Sequence, residues 1–159
     1  MSRVFVTLSV ASLVGTLASS VALAEKKDST KHWEGSGTAH DVSGKDLGAF
    51  RVEVSRTTIG EDVTRMDGVI ALGNGQTKSF WQDQAKTPSG GFRIQSDKGP
   101  GGGRCFANGM CQTYVESASG QAFATTISRD SDEKLRILIT ELANGKAVRF
   151  YEQTLKLKQ

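Results

Sequence analysis

Polar and apolar residues alternate along much of this sequence, and turn residues interrupt the alternation at short intervals. Segments 50–55, 92–95 and 135–140 each carry an apolar side chain at every second position. A period of two is that of a β-strand with one buried face. Residues 133–144 also fit the apolar face of a helix, but their isoleucine-rich centre and the Asn144-Gly145 that follows favour a strand. The alternation therefore predicts an all-β chain.

Glycine-containing turns divide the chain into short strands. Asn-Gly dipeptides, which supply the positive φ angles of tight hairpins, stand at 74–75, 108–109 and 144–145. The glycine-rich run 98–104 is interpreted as a flexible hairpin connection, because it lacks the helix and the Lys-Ser/Thr of a nucleotide site. Strands are predicted at 33–40, 48–56, 62–73, 76–84, 90–97, 103–107, 110–117, 120–128, 133–142 and 146–157. Closure removes unpaired edges, so the expected fold is a single antiparallel up-and-down β-barrel of about ten strands.

The N-terminal residues have the pattern of a secretory signal. Arg3 supplies a positive charge, residues 4–24 are uncharged, and Val21-Ala22-Leu23-Ala24 ends in a small-x-small sequence. An uncleaved anchor helix is the alternative. Residues 1–24 are thus predicted to be a signal peptide, 25–31 a flexible leader and 32–159 the barrel domain of a periplasmic or extracellular protein. Charged residues recur on the predicted polar faces, so we expect no stable membrane insertion after signal cleavage.

Cys105 and Cys111 are the only cysteines of the chain. In an exported protein such a pair is expected to form a disulfide. A two-residue Asn108-Gly109 turn would place Cys105 opposite Gln112. A three-residue turn, 107–109, instead places Cys105 opposite Cys111, with Gly109 in the left-handed conformation. The disulfide therefore also predicts the type of turn. A zinc site is the alternative, but the spacing of the cysteines and the distant histidines does not match one.

The predicted barrel opens with Trp33-Glu34-Gly35-Ser36-Gly37. Glycines at alternate positions lie on one face of a strand, where they allow a sharp bend or close packing of another side chain. The motif and the ten-strand meander resemble the calycin superfamily of lipocalin-like barrels, including nitrobindin-like bacterial families. The resemblance implies that a basic residue of the last strand, here Arg149, packs across Trp33 as a cation–π pair. Trp33, Gly35, Gly37 and Arg149 are therefore expected to close the barrel structurally.

No catalytic or cofactor motif is visible in the sequence. A nucleophile elbow, a metal-binding His pair and a phosphate loop are all absent. His32 and His40 would lie about 26 Å apart along one strand, too far to share a metal. Haem-binding nitrobindin-like proteins use a late histidine, and no histidine follows His40. The net charge of +3 is small for a nucleic-acid-binding protein. We therefore expect no metal, cofactor, nucleic-acid partner or enzymatic activity.

Two functions are compatible with the predicted barrel. One is a non-enzymatic binding protein, because a barrel of this size can hold one small, apolar ligand. The pocket candidates are Phe80, Trp81, Phe92, Tyr114 and Phe123, and the sequence leaves open which of Phe80 and Trp81 faces inward. The alternative is an envelope interaction or inhibitor protein with a filled core, which engages an envelope partner through its loops. Residues 117–123 resemble a loop of periplasmic C-type lysozyme inhibitors, although Ala122 and Phe123 replace the basic residue and the tyrosine of that family.

Overall fold

The computed structural model describes residues 29–158, and every regular element within this range is a β-strand. The strands are β1 (Thr30–Asp41), β2 (Asp46–Ile59), β3 (Val63–Leu72), β4 (Thr77–Lys86), β5 (Gly91–Ser96), β6 (Gly99–Cys105), β7 (Cys111–Glu116), β8 (Gln121–Ser131), β9 (Lys134–Ala143) and β10 (Lys146–Leu157). Each strand pairs antiparallel with its sequence neighbours, and β10 pairs with β1. The chain is a closed ten-stranded barrel, which confirms the predicted fold class.

The start of the barrel differs slightly from the predicted domain boundary. β1 begins at Thr30, so Thr30 and Lys31 of the expected leader belong to the barrel. The predicted signal peptide, 1–24, lies outside the described residues. No helix in residues 29–158 has the length and apolar character to cross a membrane.

The glycine-rich run that was predicted to be a flexible connection is strand β6. A Cβ atom built on Gly103 would lie 2.7 Å from a ring carbon of Phe92 on the neighbouring strand. At Gly101 it would lie 2.8 Å from the Val115 side chain. The glycines thus allow both neighbours to pack onto the backbone of β6. The strand predicted at 103–107 therefore begins earlier, at Gly99, because an interpretation from propensity ignores cross-strand packing.

The disulfide and its turn have the predicted geometry. Cys105 and Cys111 are bonded and directly opposite one another, with Cα atoms 4.0 Å apart. The amide of Phe106 donates to the carbonyl of Met110 over 2.8 Å, and Gly109 has φ +79°. Both the disulfide and the three-residue turn are therefore confirmed.

The hydrophobic core lies against one side of the barrel. Its buried members come from β1, β2, β9 and β10: Trp33, Phe50, Val52, Ile137 and Leu155. Gly35 and Gly37 are part of the seam between β1 and β10, where they pair with Leu155 and Gln153. A Cβ on Gly35 would overlap the carbonyl oxygen of Thr154. This close approach excludes any larger residue from that position of the seam.

The first and last strands pair as expected, but Arg149 does not meet Trp33. In the antiparallel register, Trp33 is opposite Leu157, whereas Arg149 is opposite Asp41 at the other end of β1. The prediction that Arg149 packs across Trp33 is therefore wrong. The start of the last strand must lie beside the end of the first one, so a residue near the start of β10 cannot reach the start of β1.

Candidate functional site

The strand register decides which side chains face the barrel interior. Residues directly opposite one another on paired strands share a face, and the buried core residue Val52 identifies the inner face. Gly68 is opposite Val54 and Phe80, so Phe80 points inward and Trp81 points outward.

Three of the five predicted pocket residues face the interior. They are Phe80, Phe92 and Phe123, and all three are half-buried. Tyr114 lies on the outer face and is 45% exposed, with its hydroxyl donating to Glu116 over 2.9 Å. Trp81 lies in a groove on the outer wall, where the guanidinium of Arg65 stacks 5.3 Å from its ring centre. The structure therefore corrects the pocket assignment of Tyr114 and Trp81.

The inner wall of the barrel has two ends and is packed more tightly on one side than on the other. We call the end with loops 60–62, 87–90, 106–110 and 132–133 the open end, and the opposite end, with loops 42–45, 73–76, 97–98, 117–120 and 144–145, the closed end. Towards the open end, Trp33, Ile137 and Leu155 on the core side are buried. The other inward side chains there are half-buried: Val54, Thr64, Met66, Gln82, Gln84, Phe92, Thr113, Thr125 and Ile127. Towards the closed end several are buried, including Phe50, Ser96, Val115 and Glu141. The inner wall formed by β3 to β8 is therefore less tightly packed than the core side formed by β1, β2, β9 and β10.

Aromatic rings in the interior lie against the wall. Three inward phenylalanines are each directly opposite a glycine, and the space of a Cβ atom on each glycine is occupied by the phenylalanine ring. The pairs are Gly37–Phe50, Gly68–Phe80 and Gly103–Phe92. A ring that lies over the neighbouring backbone does not project towards the barrel axis. This arrangement places apolar ring surface along the inner wall.

A buried carboxylate lies near the closed end. Glu141 is 6% exposed and accepts hydrogen bonds from the Tyr151 hydroxyl at 2.5 Å and the Gln121 amide at 2.8 Å. Arg149 adds an ion pair at 3.5 Å. Burial and the bond to Glu141 raise the pKa of Tyr151 above its usual value. Sequence reasoning missed this network, although Glu141 continues the inward series of Ile137 and Ile139, where a charged residue is unexpected.

Two arginines stand at inward positions of the open end. Arg56 of β2 lies opposite the inward position of Met66, and Arg129 of β8 follows the inward residue Ile127 at the two-residue period. Burial and the positive charge of Arg129 lower the pKa of the Arg56 guanidinium. Arg129 forms an ion pair at 3.3 Å with Asp132, a carboxylate that is 96% exposed. The two guanidinium groups thus influence one another across the mouth of the lumen.

Metal-ligating side chains do not cluster in the described part of the chain. No group of three His, Cys, Asp or Glu residues in 29–158 could hold a metal ion. Nδ1 of His32 lies 3.0 Å from the hydroxyl of Ser55, and Nε2 of His40 lies 3.2 Å from that of Thr38. Each histidine is therefore engaged by a neighbouring hydroxyl group.

No protein-family model and no curated protein sequence matches the chain. Solved structures match it in shape. An S-type phycobiliprotein lyase from Guillardia theta superposes with a TM-score of 0.57 at 9% identity, covering 80% of this chain and 87% of the lyase. The ywiB protein from Bacillus subtilis matches with a TM-score of 0.37 at 11% identity, covering 84% of this chain and 95% of the ywiB chain.

The lyase overturns the prediction that the chain is not an enzyme. That prediction was wrong to treat missing nucleophile and metal motifs as evidence against catalysis, because an enzyme has a barrel of this kind. The low identity limits what the likeness shows to architecture. The closed barrel and its structural match together show that the chain has the fold of the calycin-like superfamily.

Proposed function

We propose that the protein binds one small molecule in the barrel lumen, which the ligand enters through the open end. The observation that carries the proposal is that most inward side chains on β3 to β8 are half-buried, with Ile94, Ser96 and Val115 as the buried exceptions. A filled barrel would bury these positions, as the core side does for Val52 and Leu155, each 2% exposed. The accessible lumen supports ligand binding over the alternative of an envelope interaction or inhibitor protein with a filled core.

The lining predicts a ligand with an apolar body. Phe80, Phe92 and Phe123 offer ring surfaces inside the lumen, and Met66 adds a flexible apolar side chain. Gln82, Gln84, Thr113 and Thr125 add polar groups to the same wall. An apolar lining with a few polar groups is typical of small-molecule sites.

We also propose that the protein acts outside the cytoplasm. The support is the signal-like sequence of residues 1–24 and the disulfide between Cys105 and Cys111, a bond that is rare in reducing compartments.

A pair of matched variants tests the lumen as the binding site. Thr125 and Thr126 are adjacent and both half-buried, but Thr125 faces the lumen and Thr126 the outside. The probe is N-phenyl-1-naphthylamine, a neutral dye that fluoresces in apolar surroundings. We expect Thr125→Phe to reduce its affinity at least about tenfold, since the new ring occupies the lumen, while Thr126→Phe leaves the affinity within about twofold.

Native mass spectrometry of the purified protein adds an independent measurement. A retained small molecule that Thr125→Phe displaces supports the proposal. The proposal is contradicted if Thr125→Phe and Thr126→Phe bind the dye with equal affinity and the unsubstituted protein retains no small molecule.

A further inference from the structure

The mouth of the lumen has inward-facing cations on two walls. Arg56 lies on β2 and Arg129 on β8, each within the last four residues of its strand at the open end. Lys31 of β1 is directly opposite Arg56 and shares its inward face. Three positively charged residues on separate strands therefore stand at inward positions of the open end.

Carboxylates are absent from the same inner surface. Within strands of the 29–158 range, no Asp or Glu stands at an inward position in the half of the barrel nearest the open end. The inward acidic residues, Asp41 and Glu141, lie at the closed end. Arg149 lies directly opposite each of them and forms an ion pair with Glu141. Arg56 has no ion-pair or side-chain hydrogen-bond partner among the described residues, and burial and Arg129 lower its pKa.

Arg56 and Arg129 carry like charges at inward positions of the same end of the barrel, and the repulsion between them raises the free energy of the unliganded protein. A bound anion between them would offset this repulsion more fully than the single exposed carboxylate of Asp132, which pairs with Arg129 alone. Guanidinium groups match carboxylate, sulfonate and phosphate groups in geometry. The apolar rings of Phe80 and Phe123 lie on the same inner face, nearer the closed end than Arg56 and Arg129. The mouth and the lumen thus present a charged and an apolar surface in sequence.

We infer that the open end of the lumen is an anion-binding site, and that the ligand is an amphipathic organic anion whose acidic group lies between Arg56 and Arg129 while its apolar body lies along the phenylalanine-lined wall. The inference rests on the proposed function, since it assigns the orientation and chemical class of a molecule bound in the lumen.

Two dyes with one hydrocarbon frame separate the anion site from the lumen. 1-Anilinonaphthalene-8-sulfonate carries a sulfonate, and N-phenyl-1-naphthylamine lacks it. We expect Arg56→Gln and Arg129→Gln each to weaken binding of the sulfonate dye by about fivefold. This fold-change corresponds to roughly 1 kcal/mol, the free energy of a partly exposed ion pair. Binding of the neutral dye should change less than about twofold. Added salt should weaken only the sulfonate dye.

Arg51→Gln is the matched control, because Arg51 is on the same strand as Arg56 but faces outward. It should leave both affinities unchanged. Removing one of two repelling cations should not destabilise the fold, so urea unfolding of Arg56→Gln checks that the lost affinity is local. If Arg56→Gln and Arg129→Gln both leave the affinity for the sulfonate dye unchanged, and the neutral dye still binds, the anion site is overturned and the lumen proposal stands. If Thr125→Phe weakens the binding of neither dye, the lumen proposal is overturned instead.

Discussion

Gly68 makes room for an aromatic ring inside the barrel, and this can be tested by filling that space. Gly68 lies directly opposite Phe80. A Cβ atom at this position would overlap the Phe80 ring and lie 2.9 Å from the carbonyl oxygen of Glu53. The ring would have to rotate towards the lumen. Inserting a methyl group into a packed site costs about 1–3 kcal/mol, and we expect Gly68→Ala to lower the free energy of unfolding by that amount.

Urea unfolding followed by circular dichroism measures the change. Gly73→Ala is the control, because a Cβ atom there meets only the carbonyl oxygen of Ala49, at 3.6 Å; its effect should stay within about 0.5 kcal/mol. In a Phe80→Leu background the ring is gone, so the cost of Gly68→Ala should fall by about 1 kcal/mol. An equal cost in both backgrounds would refute the argument that Gly68 determines where the ring lies.

Three further predictions concern the disulfide and the tyrosines. Replacing Cys105 and Cys111 by serine should lower the unfolding free energy by about 2 kcal/mol, since the closed loop is short; calorimetry with and without reductant measures it, and no difference contradicts it. Tyr151→Phe removes a donor from buried Glu141 and should cost about 1–3 kcal/mol, whereas Tyr114→Phe, an exposed control, should cost almost nothing. The pKa of Tyr151 is raised by burial and that of Tyr114 by its bond to a neighbouring glutamate. Phenolate absorbance should therefore develop at higher pH in the folded protein than in urea. A tyrosine whose pKa is raised by folding contributes stability that is present below the pKa of the unfolded state and is lost as pH rises through the pKa of the folded state.

The strands were predictable because alternation with a period of two is visible wherever one face is polar. The inner face could not be assigned where aromatic residues are adjacent, as at Phe80 and Trp81. Gly68 on the neighbouring strand settles that choice, since only its missing side chain accommodates a ring. The interaction is non-local, so the sequence around residue 80 does not contain it.

The charged residues of the lumen left a weaker signal. Arg56 ends the inward series of Phe50, Val52 and Val54, and Arg129 ends that of Phe123, Thr125 and Ile127. Charged residues in such a series indicate either a strand end or a functional interior. The position of Arg149 could not be predicted in the same way, because the register between the first and last strands depends on the stagger of all the strands around the barrel.

Closure between β1 and β10 also affects how the chain folds. Their pairing runs from Trp33 with Leu157 to Asp41 with Arg149, and so joins segments near opposite ends of the sequence. Such distant partners meet late, because the entropy of closing a long loop must be overcome first. Until β10 docks, β1 and β9 each expose a strand edge able to pair with another chain. The docking rate of the final strand should therefore determine how long a newly made molecule is prone to aggregate.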